Sequence, residues 1–121
     1  MNIIVIDDDR LVALSLKTIL ESTGKVTVAA MGESGQQAVE LYESLRPDVI
    51  LMDIRMPEMN GLDATRIIKE INHDIPIIAL SAYAYEENVR EAKRAGCNEF
   101  MAKPFRVENL VDMVKKYLDD D

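Results

Sequence analysis

The sequence has 121 residues, 48% hydrophobic and 30% charged, the size and make-up of one soluble globular domain with a single core. Asp and Glu total 22 against 14 Lys and Arg, and the resulting charge of −8 excludes a nucleic-acid binder that works by neutralising phosphates and disfavours anionic membrane surfaces. Cys97 is the single cysteine, so no intrachain disulfide forms, and no apolar stretch approaches the roughly 20 residues of a bilayer span.

In chain order, NIIVI (2–6) reads as a first strand, and Met1 leads almost directly into it with no basic region or cleavage site. A cytoplasmic protein without a leader is therefore expected. Val12, Leu16, Ile19 and Leu20 recur at helical spacing. VTVAAM (26–31) predicts a second strand, Gly32 to Gly35 a turn, and Ala38, Leu41, Tyr42 and Leu45 the inner face of a second helix. DVILM (48–52) is the third and most apolar strand. After a loop with Pro57 and Gly61, Ala64, Ile67, Ile68 and Ile71 mark a third helix.

IPIIAL (75–80) predicts the fourth strand. The helix after it, between Tyr85 and Ala95, has only Val89, Ala92 and Ala95 to turn inward. EFMA (99–102) is a short fifth strand, and Val107, Leu110, Val111, Val114 and Leu118 define a last helix, with DDD (119–121) as a frayed tail. Unbroken apolar strands separated by single helices predict a parallel sheet covered on both faces, the doubly wound α/β class, with residues 1–121 as one domain.

In such sheets ligands bind beyond the carboxyl ends of the strands, at the switch point in strand order. Asp7, Asp8 and Asp9 follow the first strand, Asp53 the third, Ser81 the fourth and Lys103 the fifth. The second ends in Met31 and Gly32, with nothing reactive, as suits an edge strand. Taken singly, Asp9 is a helix cap, Ser81 a turn residue and Lys103 a solvated surface lysine. Together they place carboxylates, a hydroxyl and an ammonium on one rim. Acids this close repel unless a cation lies among them, and hard oxygen donors with room for water suit Mg²⁺ or Mn²⁺. That chemistry supports phosphoryl transfer onto a carboxylate, for which Asp53, on the best-buried strand, is the natural nucleophile.

These residues resemble the receiver domain of two-component response regulators over the whole chain, through VIDDDR (5–10), DVILMDIRMPEMNG (48–61), IIALSAY (77–83) and FMAKPF (100–105). The resemblance implies a flavodoxin-like (βα)₅ fold with strand order 2-1-3-4-5. It implies that Asp53 accepts a phosphoryl group from a phosphohistidine of a sensor histidine kinase or histidine phosphotransfer domain. By the same resemblance Asp8 would ligate Mg²⁺ directly, Asp7 largely through water, and Arg55 through its backbone carbonyl. Ser81 would be the switch hydroxyl and Lys103 its phosphoryl-pairing partner, with a cis bond to Pro104. Arg55, Ala82 and Tyr83 would flank the phosphoryl group. Phe100 stands where the family has a rotamer-switching aromatic, often Tyr, so any switch there works by packing. The face of the fourth helix, fifth strand and fifth helix would carry regulated contacts to an output domain or a second copy.

A haloacid-dehalogenase-type phosphohydrolase uses a similar set, but needs an Asp two residues after its nucleophile, where this chain has Arg55. A receiver-like interaction module without phosphorylation is the other alternative, and here every matched site residue is present. His73, the single histidine, sits in a polar NHD loop and reads as surface.

Overall fold

Alternate residues of the central strands part to opposite faces of a five-stranded parallel sheet, as the computed structural model, which describes residues 1–56 and 59–118, lays out. Pro57 and the acidic end 119–121 lie outside the described residues. The elements are β1 (Asn2–Ile6), α1 (Arg10–Glu21), β2 (Thr27–Gly32), α2 (Gly35–Leu45), β3 (Val49–Asp53), α3 (Gly61–Ile71), β4 (Ile77–Ser81), α4 (Glu86–Ala95), β5 (Glu99–Ala102) and α5 (Val107–Lys115). The strand order is β2-β1-β3-β4-β5, every pairing parallel, which is the expected doubly wound arrangement.

Ile4, Ile6, Ile50, Met52 and Ile77 face one side, against Tyr42, Ala64, Ile68 and Ala92 of α2, α3 and α4. Ile3, Val5, Leu51, Ile78 and Leu80 face the other, against Leu16, Leu20, Leu110 and Val114 of α1 and α5. Every residue of β3 and β4 is buried, so burial of apolar area on two sides holds these strands at the centre. The helices start where the sequence supplies caps. Asp9 accepts from the backbone N–H of Leu11 and Val12, Ser34 from Gln37, and Asn60 from Leu62 and Asp63. None of the helices among the described residues is long and apolar enough to cross a membrane.

The departures from expectation lie at element ends. Leu45, Ile71 and Val107, expected to face inward, are 44%, 40% and 50% exposed, and each is the terminal residue of its helix, with no further turn to cover it on one side. Leu118 lies past the end of α5. β2 starts at Thr27 and not Val26, although Val26 is buried. Asp53 and Ser81 do not follow their strands but end them, inside the ladder.

Candidate functional site

β1, β3, β4 and β5 all deliver polar side chains to the same edge of the sheet. Asp53 is held there by the ladder to β4: Asp53 pairs with Leu80, and the next amide, Ile54 N–H, donates to Leu80 O at 3.1 Å. The residue is 5% exposed, with Oδ1 accepting from Arg55 N–H at 2.9 Å. Asp7 follows β1 directly; its N–H donates to Gly32 O at 3.0 Å and its Oδ1 accepts from Asp9 N–H at 2.9 Å. Asp9 therefore caps α1, as expected, while its own amide also fixes Asp7.

Lys103 arrives from β5. Its backbone N–H donates to Ser81 O at 2.8 Å, and the Lys103–Pro104 peptide is cis. Its ammonium reaches Asp7 Oδ2 at 2.6 Å and Asp53 Oδ2 at 3.4 Å. One carboxylate oxygen from each of Asp7, Asp8 and Asp53 lies within 4.8 Å of the others. Asp7 and Asp53 are buried, whereas Asp8 is exposed. The set is all hard oxygen, with one member open to water, and so fits a small divalent cation that keeps part of its hydration shell.

Burial is the main influence on Asp53 and pushes its carboxyl from the ordinary 3.8 up to about 6; the Arg55 N–H and the Lys103 charge pull it back, and Asp7 raises it further. Burial opposes the charge on Lys103, but its hydrogen bond to Asp7 and the charge of Asp53 outweigh that and hold its ammonium above the usual lysine range. The site thus carries an acid excess that one lysine offsets incompletely.

The remaining expected residues sit around this centre at varying distance. Ser81 is 1% exposed, and its Oγ accepts from Tyr83 N–H at 3.0 Å, so its hydroxyl is tied to the β4–α4 loop and not to Asp53. Ala82 and Tyr83 are exposed in that loop. The Arg55 guanidinium stacks on the Tyr83 ring, 4.6 Å from its centroid, joining the loops after β3 and β4. Phe100 is half-buried on β5, opposite Ala79, against the α2–α4 side of the core.

Gly61 is a residue that the strand-end reasoning passed over. A Cβ there would lie 2.4 Å from Asp53 O and 2.8 Å from Ile54 Cα, so only glycine lets α3 begin against the backbone of the carboxylate. The Asn-Gly pair at the start of a predicted helix was the available signal.

The family model for the response regulator receiver domain matches residues 3–115. The chemotaxis protein CheY of Thermotoga maritima is 39% identical over 114 residues, covering 94% of this chain and 94% of its own length. The polar-differentiation response regulator DivK of Brucella anthropi is 32% identical, covering 98% of this chain and 97% of its own. A crystal structure of a CheX-CheY-BeF3-Mg+2 complex from Borrelia burgdorferi superposes with a TM-score of 0.91 at 25% identity, over 96% of this chain and 87% of that one.

Proposed function

Since the chain belongs to the receiver-domain family of two-component response regulators, we propose that it is a phosphoryl-accepting signalling domain whose acceptor is Asp53. The observation that carries this reading is the bridging of Asp7 and Asp53 by one ammonium, 2.6 and 3.4 Å away, in a rim that still has an excess of acid. Such a rim is favourable when a divalent cation and an incoming phosphoryl group complete its charge balance.

A carboxylate oxygen of Asp53 attacks phosphorus, the phosphorus–nitrogen bond of a phosphohistidine breaks, and the imidazole nitrogen leaves with the electron pair. The product is an acyl phosphate on Asp53. Asp7, Asp8, Asp53 and the Arg55 carbonyl would hold Mg²⁺ or Mn²⁺, which would neutralise negative charge on the transferring group. Lys103, already 3.4 Å from Asp53, supplies the second neutralising charge by pairing with a phosphoryl oxygen. Ser81 leaves Tyr83 N–H and turns its hydroxyl toward the phosphoryl group. That movement draws on the β4–α4 loop, and Phe100 repacks behind it.

The donor is a sensor histidine kinase or a histidine phosphotransfer domain in the cytoplasm. The output is the face of α4, β5 and α5, which contacts an output domain or a second copy. Residues 1–121 act as one receiver domain, phosphorylated once per signalling cycle, and bind neither nucleic acid nor membrane directly. Incubation with Mg²⁺ and acetyl phosphate, followed by intact-mass measurement, tests this. One labile phosphoryl adduct is expected, absent in Asp53→Asn and absent with EDTA; an adduct that survives the substitution overturns the assignment.

A further inference from the structure

The two ends of α4 are held very differently. At the N-terminal end the capping residue, Tyr85, makes no side-chain hydrogen bond to the helix and is 73% exposed. Residues 82–87 are all exposed, and the buried residues of the helix, Ala92 and Ala95, both lie in its second half.

The C-terminal end is bolted down from α3. Gly96 ends the helix at φ +114, a left-handed conformation suited to glycine, and a Cβ there would lie 3.0 Å from Lys69 Cγ. The Lys69 stem thus lies along the backbone of the cap. Its ammonium then donates to Ile75 O at 2.6 Å, Asn98 Oδ1 at 2.9 Å and His73 O at 3.3 Å. Asn98 Oδ1 also accepts from Ile77 N–H at 3.0 Å, and Asn98 N–H donates to Ile77 O at 2.8 Å. Four residues before Lys69 on the same helix, Thr65 Oγ1 lies 3.7 Å from Cys97 Sγ. One side chain therefore joins α3, the approach to β4 and the chain leaving α4 through three charge-assisted hydrogen bonds, of which the shortest, to Ile75 O, is partly buried.

We propose that Lys69 is a latch that fixes the C-terminal end of α4, so that the helix moves by swinging its N-terminal end about this point. The free end is the one nearest Ser81 and Tyr83, so a pull on the β4–α4 loop is converted into rotation of α4 and not into its translation. Lys69 touches none of the carboxylates at the proposed phosphoryl site and acts only as a positioning residue. The latch stands on the geometry alone, while its use in signalling rests on the phosphoryl-acceptor reading.

Residue-resolved amide hydrogen exchange on the full chain tests it. In the unmodified protein the Val89–Glu91 amides exchange faster than those of Gly96–Asn98. Lys69→Met keeps the apolar stem and removes the ammonium; it accelerates exchange at 95–98 by about tenfold or more while β1 and β3 keep their rates. Asn98→Asp keeps an acceptor for Lys69 and retains the slow exchange. The latch is overturned if Gly96–Asn98 are unchanged in Lys69→Met, if all amides accelerate together, or if the gradient along α4 is reversed. With Mg²⁺ and beryllofluoride, spectral changes concentrate at 82–90; equal changes at 95–98 overturn the swing. Absence of any beryllofluoride response contradicts the acceptor reading instead, and the exchange rates alone then decide the latch.

Discussion

Lys103 Nζ lies 2.6 Å from Asp7 Oδ2, closer than to Asp53 Oδ2 at 3.4 Å. This lysine is the cation that the acidic rim holds, and a divalent ion bound there would compete with it for the same carboxylates. Replacing it leaves two buried acids without a countercharge, though each keeps one backbone N–H donor. Lys103→Met is expected to lower stability by about 1–3 kcal/mol without metal, less than for a fully enclosed pair because the lysine side chain is 19% exposed. Mg²⁺ should bind the variant several-fold more tightly than the parent, while phosphoryl transfer falls. Urea denaturation with and without Mg²⁺, together with calorimetric titration, measures both effects.

Asp53 is costly to the fold as well. Its carboxyl is raised from 3.8 to about 6, so the folded chain holds this proton more tightly than the unfolded one. The corresponding stability is present below the unfolded value and lost as pH rises through the folded one. At pH 7, without metal, the ionised group therefore costs about 3 kcal/mol. Asp53→Asn should stabilise the metal-free protein by about 2–3 kcal/mol at pH 7 and by close to nothing near pH 4. Denaturation midpoints at the two pH values check the sign and the window.

The same shift governs reactivity. Only the ionised carboxylate attacks phosphorus, so at low Mg²⁺ the rate of phosphorylation by acetyl phosphate should fall as pH drops through about 6. Raising Mg²⁺ favours the ionised form and moves that inflection to lower pH. A rate that stays flat down to pH 5 at low Mg²⁺ contradicts the raised value.

The Arg55–Tyr83 stack joins the loops after β3 and β4, with the guanidinium 4.6 Å from the ring centroid. Removing the ring takes away a contact worth about 0.5–1 kcal/mol at an exposed site and opens the approach of water. Tyr83→Ala should shorten the half-life of the adduct several-fold while leaving its formation nearly unchanged. Following the decay by phosphate release, with Tyr83→Phe as the conservative control, separates the ring from its hydroxyl.

Strand positions were legible in the sequence because buried parallel strands are continuous apolar runs, and the rim because four of those runs end in reactive side chains. Helix ends were less legible. Periodicity points Leu45, Ile71 and Val107 inward, but it carries no information on how well the terminal residue of a helix is covered. Close backbone approach was invisible too: Gly61 against Asp53 O depends on how the β3–α3 loop folds back, and Gly96 against Lys69 on a contact between elements well separated in the chain. Which acid Lys103 would favour was equally hidden, since that is set by ångström-scale placement at the rim.

The position of the phosphoryl group tests the central claim most directly. After reaction with acetyl phosphate and Mg²⁺, borohydride reduces an acyl phosphate to the corresponding alcohol, and peptide mapping locates the altered side chain. Reduction at Asp53 alone is the predicted result; a mark at Asp7 or Asp8, or a borohydride-resistant phosphate on Ser81, contradicts it.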